Sequence, residues 1–463
     1  MLTGASFAGD GSFASFAGGA GGAGGAGSTG VAAVGGKGAS LAELARAGVA
    51  VPPGFAVTVS AFAAAMAVID PDGTHRAEIE ALPAGDLAGI AAAAGRFRAL
   101  VAGTPLPDDV ATAVTEYYAA LGASGAAGGS GDLEVAVRSS ATVEDSAEAS
   151  FAGLQDTYLG VSGAASVLDH VRRCMASMYN DESVAYRRRL GLPEAGVAMA
   201  VVVQRMVAPR AAGVMFTRSP VTGDRSVVAI EGTWGLGSAL VSGDVTPDSW
   251  VISKITGEIT ARRISTKVKI HGYRASTASS PESPAGAGEQ AGVTGRVTVR
   301  DTPADLRDAP CLTDEEIRAL AAVARRVENH YGAAQDIEWA VLDTPFAHAP
   351  AGSPAPFAHA PAGSPAPDGL AQGGLAPGGL AASDLAAGDL ASDNPASDPS
   401  DRNAPEGDAP DGDAPDRGAP AASRVVLLQS RPETVWAARD SKPAGAPKPR
   451  AADHVLALFG KPL

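Results

Sequence analysis

Residues 335–341 read Gln-Asp-Ile-Glu-Trp-Ala-Val and residues 425–431 read Val-Val-Leu-Leu-Gln-Ser-Arg. Short runs of this kind, rich in β-branched and apolar residues, predict strands over Asp336–Leu342 and Val425–Ser430. Side chains alternate along a strand, so Asp336 and Glu338 share a face, and so do Gln429 and Arg431. If the two strands are neighbours, two carboxylates, an amide oxygen and a guanidinium converge. That set offers hard oxygen ligands for Mg²⁺ beside a cation for a phosphate. Taken as an isolated pattern, a structural salt bridge from Arg431 to Glu338 accounts for the same residues.

Working outward, Leu133–Arg138, Val197–Met206 and Val227–Glu231 also read as strands, and helical windows lie between them. The clearest helix is Asp314–Tyr331. Thr313 and Glu316 form a capping-box pair at its start, and Ile317, Leu320, Val323, Val327 and Tyr331 repeat along one face. A second helix is predicted from Ser166 to Tyr186, with Val171, Cys174, Met175 and Met178 as a core stripe that makes Cys174 a packing residue. The alternation indicates an α/β (α+β) fold rather than a bundle or sandwich.

Two further constellations suit a phosphate. Val34-Gly-Gly-Lys-Gly-Ala-Ser-Leu41 is an apolar entry, a glycine turn holding Lys37, and a helix that Gly48 closes; exposed amides and an ammonium at a helix start attract anions. It is not a Walker A loop, which needs Gly at Val31 and Ser or Thr at Gly38. A plain turn with a solvated Lys37 is the alternative. In Ala136–Asp145, Arg138 ends a strand that runs into a hydroxyl-rich loop, where its fork and Ser139 and Ser140 offer donors to phosphate oxygens. The alternative is a surface arginine paired with Glu144 or Asp145.

The 463 residues carry 36 Lys and Arg against 51 Asp and Glu, a net charge of −15, which disfavours binding nucleic acid through its phosphates. Two cysteines give neither a disulfide framework nor a metal-binding spacing, and the seven histidines are scattered without a ligand pattern. No apolar stretch is long enough to span a bilayer and no charged region opens a secretory signal, so a cytoplasmic protein is expected. Residues 1–30, almost all Gly, Ala, Ser and Phe, read as a disordered lead-in. Residues 275–295 are linker-like. Residues 344–423 are low-complexity, with FAHAPAGSPAP repeated letter for letter at 346–356 and 357–367, and hold −9 of the total charge.

The motifs in their order resemble the nucleotide-binding part of the phosphoenolpyruvate synthase and pyruvate phosphate dikinase family, which includes rifampicin phosphotransferases. They are VGGKGASLAEL at 34–44, VPPGF at 51–55, VRSSATVEDS at 137–146, EASFAGLQDT at 148–157, QRMV at 204–207, GVMFTRSPVTGD at 213–224, GTWGLGSALVSGDVTPD at 232–248, QDIEWAV at 335–341 and LLQSRPETVW at 427–436. The wording of SSATVEDS and SFAG is similar to the synthase and rifampicin branches.

The resemblance implies a two-lobed ATP-grasp fold with long low-complexity insertions. Its lobes would be residues 31–230, binding phosphate, and residues 231–343 with 424–436, binding metal and phosphate; 437–463 would be a tail. It implies that Lys37 and Arg138 hold phosphates, that Gly153 and Thr157 lie along a phosphate-covering loop, and that Gln204 and Met206 meet the adenine. Glu338 and Gln429 would hold Mg²⁺, with Asp336 nearby, and Arg431 would stabilise the transferring phosphoryl group. The cofactors implied are ATP and Mg²⁺. Full-length members carry a phosphoryl-accepting histidine in a swivelling domain, and no histidine here sits in such a motif. The expected partner is therefore a separate chain or domain bearing that histidine, with neither nucleic acid nor membrane. The alternatives are a non-catalytic ATP-binding sensor or scaffold, or a fragment of a full-length enzyme.

Overall fold

The computed structural model describes residues 30–123, 133–142, 156–273, 297–346, 424–434 and 436–437, and the backbone of strands at 13–16, 145–146 and 149–150. All belong to one compact unit. Numbered along the chain, a five-stranded sheet is built from β1 (Phe13–Phe16), β2 (Gly54–Val57), β3 (Glu134–Ala141), β6 (Thr157–Ser162) and β7 (Met199–Arg205), in the order β1-β2-β7-β3-β6. Asp145–Ser146 (β4) and Ala149–Ser150 (β5) pair with each other. A six-stranded sheet is built from β8 (Ala211–Phe216), β9 (Val227–Trp234), β10 (Asp248–Ser253), β11 (Ile259–Arg263), β14 (Gln335–Val341) and β15 (Val425–Pro432), in the order β11-β10-β9-β8-β14-β15. Lys269–Tyr273 (β12) and Val297–Asp301 (β13) form a separate pair.

The helices are α1 (Val31–Arg46), α2 (Val59–Ile69), α3 (Thr74–Ala81), α4 (Leu87–Gly103), α5 (Asp108–Ala123), α6 (Ala164–Ser177), α7 (Asp181–Leu190), α8 (Ser238–Val241), α9 (Ala304–Arg307) and α10 (Asp314–Tyr331). The valine run of β7 is buried on both faces, as a central strand requires. Phe55, Val137, Val201 and Val203 pack on one side with Phe97 of α4 and Val171, Cys174 and Met175 of α6. Ala56 and Val202 face the other side and join a second core.

That second core belongs mainly to the six-stranded sheet. Ile337, Met215, Ile230 and Trp250 lie in register across four strands and meet Ile317, Leu320 and Val327 of α10. The capping box of α10 is complete, with Glu316 N donating to Thr313 Oγ1 at 3.3 Å and Thr313 N donating to Glu316 Oε2 at 2.9 Å. Helix α1 contributes Val34, Leu41 and Leu44 to the same core while lying against β3 and β7, so it wedges between the sheets. Each fully buried leucine of that wedge contributes about 2 kcal/mol of apolar burial. Among the described residues no helix is long and apolar enough to cross a membrane.

The α/β expectation holds, with local corrections. The chain leaves the first sheet after Arg205 and enters the second at Ala211, ahead of the expected divide at 230/231, because β8 pairs with both β9 and β14. Phe13–Phe16, inside the expected lead-in, forms an edge strand on β2, whose backbone groups would otherwise lack partners. The helix expected over 166–186 is two helices: Asn180 adopts extended backbone ahead of Asp181 and Glu182, and these start signals outweigh the apolar stripe. Ser139 and Ser140 continue β3 rather than opening a loop, since both pair with β7. Gly153 and the residues between 346 and 424 lie outside the described residues.

Candidate nucleotide site

Strands β14 and β15 are antiparallel neighbours, with Asp336 opposite Arg431 and Glu338 opposite Gln429. Directly opposed residues point to the same side, so all four share one face. Between Glu338 and Trp339 the register shifts, and Trp339 faces Leu427. Leu428 is therefore the surplus residue of a β-bulge, and the carbonyl of Leu428 is turned out of the ladder. The bulge also changes phase: Leu427 and Val425 go into the core with Trp339 and Val341, although sequence parity groups them with Gln429 and Arg431.

Arg138 of β3 uses that carbonyl. Its Nη1 donates to Leu428 O at 2.9 Å, and its Nη2 donates to Gln429 Oε1 at 2.7 Å and to Glu338 Oε2 at 3.1 Å. The side chain is buried, at 8% exposure, and Nε has no partner among the described residues. These contacts join the two sheets; the side chains of Glu144 and Asp145, its alternative partners, lie outside the described residues. Arg431 does not pair with Glu338; its Nε lies 3.6 Å from Asp336 Oδ2. Asp336 Oδ1 is buried without a partner among the described residues. Burial pushes the Asp336 carboxyl up; Arg431 pulls the other way and Glu433 adds to the rise, leaving it at about 6.

The glycine turn is held beside Arg138 by Ser140, two residues along β3 and on the same face. Ser140 Oγ donates to Val34 O at 2.8 Å and accepts from Gly38 N at 3.2 Å. Gly35 interrupts α1 with φ 68°, and a Cβ there would lie 2.0 Å from Ser140 O. Only glycine permits that approach, and it sets Lys37, half-buried, at the start of the continuing helix. The hydroxyls of Ser139 and Ser140 are spent inside the protein, on Asp156 O and Val34 O, rather than offered outward.

Thr157 lies opposite Arg138 on β6, and Val202 lies opposite it on β7. Gln204, two residues beyond Val202, shares that face and anchors through Nε2 to Pro52 O at 3.2 Å. Met206 N donates to Glu134 O, and the chain then crosses to the second sheet over 206–210. Lys37, Arg138, Thr157 and Gln204 thus lie on one side of the first sheet, and Asp336, Glu338, Gln429 and Arg431 on one face of the second. The thiol of Cys174 is buried and pushed well up by burial, in keeping with its packing role.

Sequence reasoning missed the Leu428 bulge and a brace behind the site. In that brace Arg218 and Glu433 are both buried, Arg218 Nε donates to Gly223 O at 2.8 Å, and Trp436 Nε1 donates to Pro220 O at 3.1 Å. The TRSP and RPETVW motifs carried its signal. Among the described residues no group of three or more His, Cys, Asp or Glu side chains gathers. Glu338 Oε2 and Gln429 Oε1 nonetheless converge on a single cationic group, Arg138 Nη2. A divalent cation that takes few protein oxygens and completes its shell with phosphates fits such a pair.

The family described as pyruvate phosphate dikinase, AMP/ATP-binding domain, matches residues 31–346. A rifampicin phosphotransferase from a Streptomyces species is 44% identical over 302 residues, covering 65% of this chain and 31% of that protein. A probable phosphoenolpyruvate synthase from Methanothermobacter thermautotrophicus is 39% identical over 301 residues, 65% of this chain and 41% of that one. Another from Staphylothermus marinus is 41% identical over 307 residues, 66% of this chain and 37% of that one. The match thus spans well under half the length of these relatives.

Proposed function

The chain belongs to the pyruvate phosphate dikinase AMP/ATP-binding domain family, and on that premise we propose that it binds Mg²⁺-ATP between its two sheets and serves phosphoryl transfer to a histidine on a separate chain or domain. The observation that supports the reading is the contact of Arg138 with Glu338 and Gln429, which brings a guanidinium, a carboxylate oxygen and an amide oxygen to one point.

Arg138 would bind phosphate oxygens, and Glu338 Oε2 and Gln429 Oε1, which it now holds, would be the protein's ligands to Mg²⁺. Lys37, fixed by the Ser140 clamp, neutralises the phosphates from the glycine turn, and Thr157 lines the same side. Gln204 and Met206 flank the base. The metal supplies charge neutralisation along the phosphates. Arg431, partly exposed at the edge of the site, meets the charge that develops on the transferring group, while Asp336 beside it fixes the direction of its fork. Catalysis of this kind is positioning and electrostatic stabilisation rather than covalent chemistry by the protein.

Calorimetric titration with ATP, with and without Mg²⁺, tests the reading on the wild type, Glu338→Ala and Arg431→Ala. Mg²⁺-dependent binding weakened about tenfold or more by Glu338→Ala is expected. Binding that ignores both Mg²⁺ and Glu338 would sink it.

A further inference from the structure

Strand β15 is the last of its sheet, and side chains from outside the sheet satisfy two of its carbonyls. Arg138 Nη1 donates to Leu428 O, and Ser40 Oγ of α1 donates to Ser430 O at 2.6 Å. The second carbonyl belongs to the peptide that joins Ser430 to Arg431. The Ser430 side chain alternates with those of Gln429 and Arg431, so it faces away from them. There its Oγ donates to Gln335 Oε1 at 2.8 Å, and Gln335 N donates to Thr217 Oγ1 at 2.8 Å. The residue between Gln429 and Arg431 is thus held by its hydroxyl from within the sheet and by its carbonyl from α1.

Helix α1 brings Lys37 to the same strand, because Ser40 follows Lys37 by three residues and lies on the same side of the helix. Ser140 clamps the start of α1 to β3, whereas the later turns are bound to α10. Tyr331 Oη donates to Ser40 O at 3.5 Å, His330 Nε2 lies 2.7 Å from Glu43 Oε1, and Arg326 Nη2 donates to Gly48 O at 3.0 Å. The helix therefore spans both sheets. Any slide of α1 along its axis would move Lys37 relative to Gln429 and Arg431, and the bond from Ser40 to Ser430 opposes that slide.

We propose that Ser40 is a positioning residue that sets Lys37 against Gln429 and Arg431, so that the two halves of the site hold the phosphates of one nucleotide together. The assignment rests on the ATP-site reading above. Its test is titration of the full chain with Mg²⁺-ATP and with AMP, which lacks the phosphates that would reach Arg431, on the wild type, Ser40→Ala and Ser40→Thr.

Ser40→Ala is expected to weaken Mg²⁺-ATP about fivefold, the worth of one hydrogen bond, and AMP by less than about twofold. Ser40→Thr keeps a hydroxyl and is expected to bind both ligands as the wild type does. Mg²⁺-ATP affinity unchanged in Ser40→Ala, equal weakening of both ligands, or no recovery in Ser40→Thr overturns the assignment and leaves the ATP site standing. A wild type that binds neither nucleotide overturns both. A single cooperative thermal transition in each variant separates loss of a contact from loss of the fold.

Discussion

Arg138 Nη2 lies 2.7 Å from Gln429 Oε1, across 291 positions of sequence and from one sheet to the other. The same Nη2 lies 3.1 Å from Glu338 Oε2, so one guanidinium holds together the two oxygens proposed above to hold Mg²⁺.

Deleting Leu428 tests the bulge by itself. The pairs Trp339 with Leu427 and Glu338 with Gln429 are retained when the surplus residue goes, so the strand becomes regular and Arg138 loses only the carbonyl at Nη1. Nucleotide affinity is expected to change by about tenfold, while the unfolding midpoint moves little. A deletion variant that binds ATP as the wild type does would show that the bulge has no part in setting Arg138.

Gly35 and Gly48 both have positive φ, at 68° and 67°, but only Gly35 faces a neighbouring backbone. Gly48→Ala meets nothing within 4 Å and is expected to cost about 1 kcal/mol, the backbone penalty alone. Gly35→Ala must displace Ser140, and the expected cost is about 3 kcal/mol with loss of nucleotide binding as Lys37 shifts. Urea unfolding and titration of the two variants side by side check the difference.

The Asp336 carboxyl titrates at about 6 in the folded protein against 3.8 as its ordinary value. Between those values the folded state holds more protons than the unfolded one, so the stabilising contribution is complete below about pH 4 and is lost as pH rises through 6. Asp336→Asn removes that dependence. In nucleotide-free protein it is expected to raise stability on the order of 2 kcal/mol above pH 7 and to leave it unchanged near pH 4. Denaturant unfolding across that range, with the wild type as reference, supplies the comparison.

Leu342 N donates to Arg424 O at 3.0 Å and Val341 pairs with Val425, so the ends of the intervening segment stand one strand spacing apart. Replacing residues 347–421 by a four-residue turn is expected to raise stability by about 2 kcal/mol through loop closure, and to leave ATP affinity within about twofold at 0.15 M salt. A collapse of binding would mean that the segment takes part in the site.

The strand pair was legible because two period-two patterns needed only adjacency to converge, and the capping box of α10 because Thr313 and Glu316 announce it. The glycine turn and Arg138 stood out in the sequence as candidates, but not their mutual arrangement, since Ser140 joins them through backbone contacts that no spacing reveals. A surplus residue such as Leu428 has no compositional mark. Val425 and Leu427 fall on the same sequence parity as Gln429 and Arg431, and only the fold separates them. The edge strand Phe13–Phe16 was hidden in Gly- and Ala-rich surroundings, and the end of the first sheet at Arg205 by a valine run that gives no sign of changing partners.

Helix α1 also bears on how the chain is made. Its contacts with β3 and β7 can form once residue 205 has been synthesised, but Ser40 Oγ donates to Ser430 O, 390 positions later. At ordinary translation rates of about 5–20 residues per second, roughly 20–80 s separate the two partners. For that interval the Leu41 and Leu44 side of α1 lacks part of its cover, and from residue 341 to residue 425 the second sheet lacks its last strand. Newly made chains are therefore exposed to aggregation at this one seam until β15 arrives, and ribosome-bound chains halted before Val425 are the species in which chaperone binding to α1 should be sought.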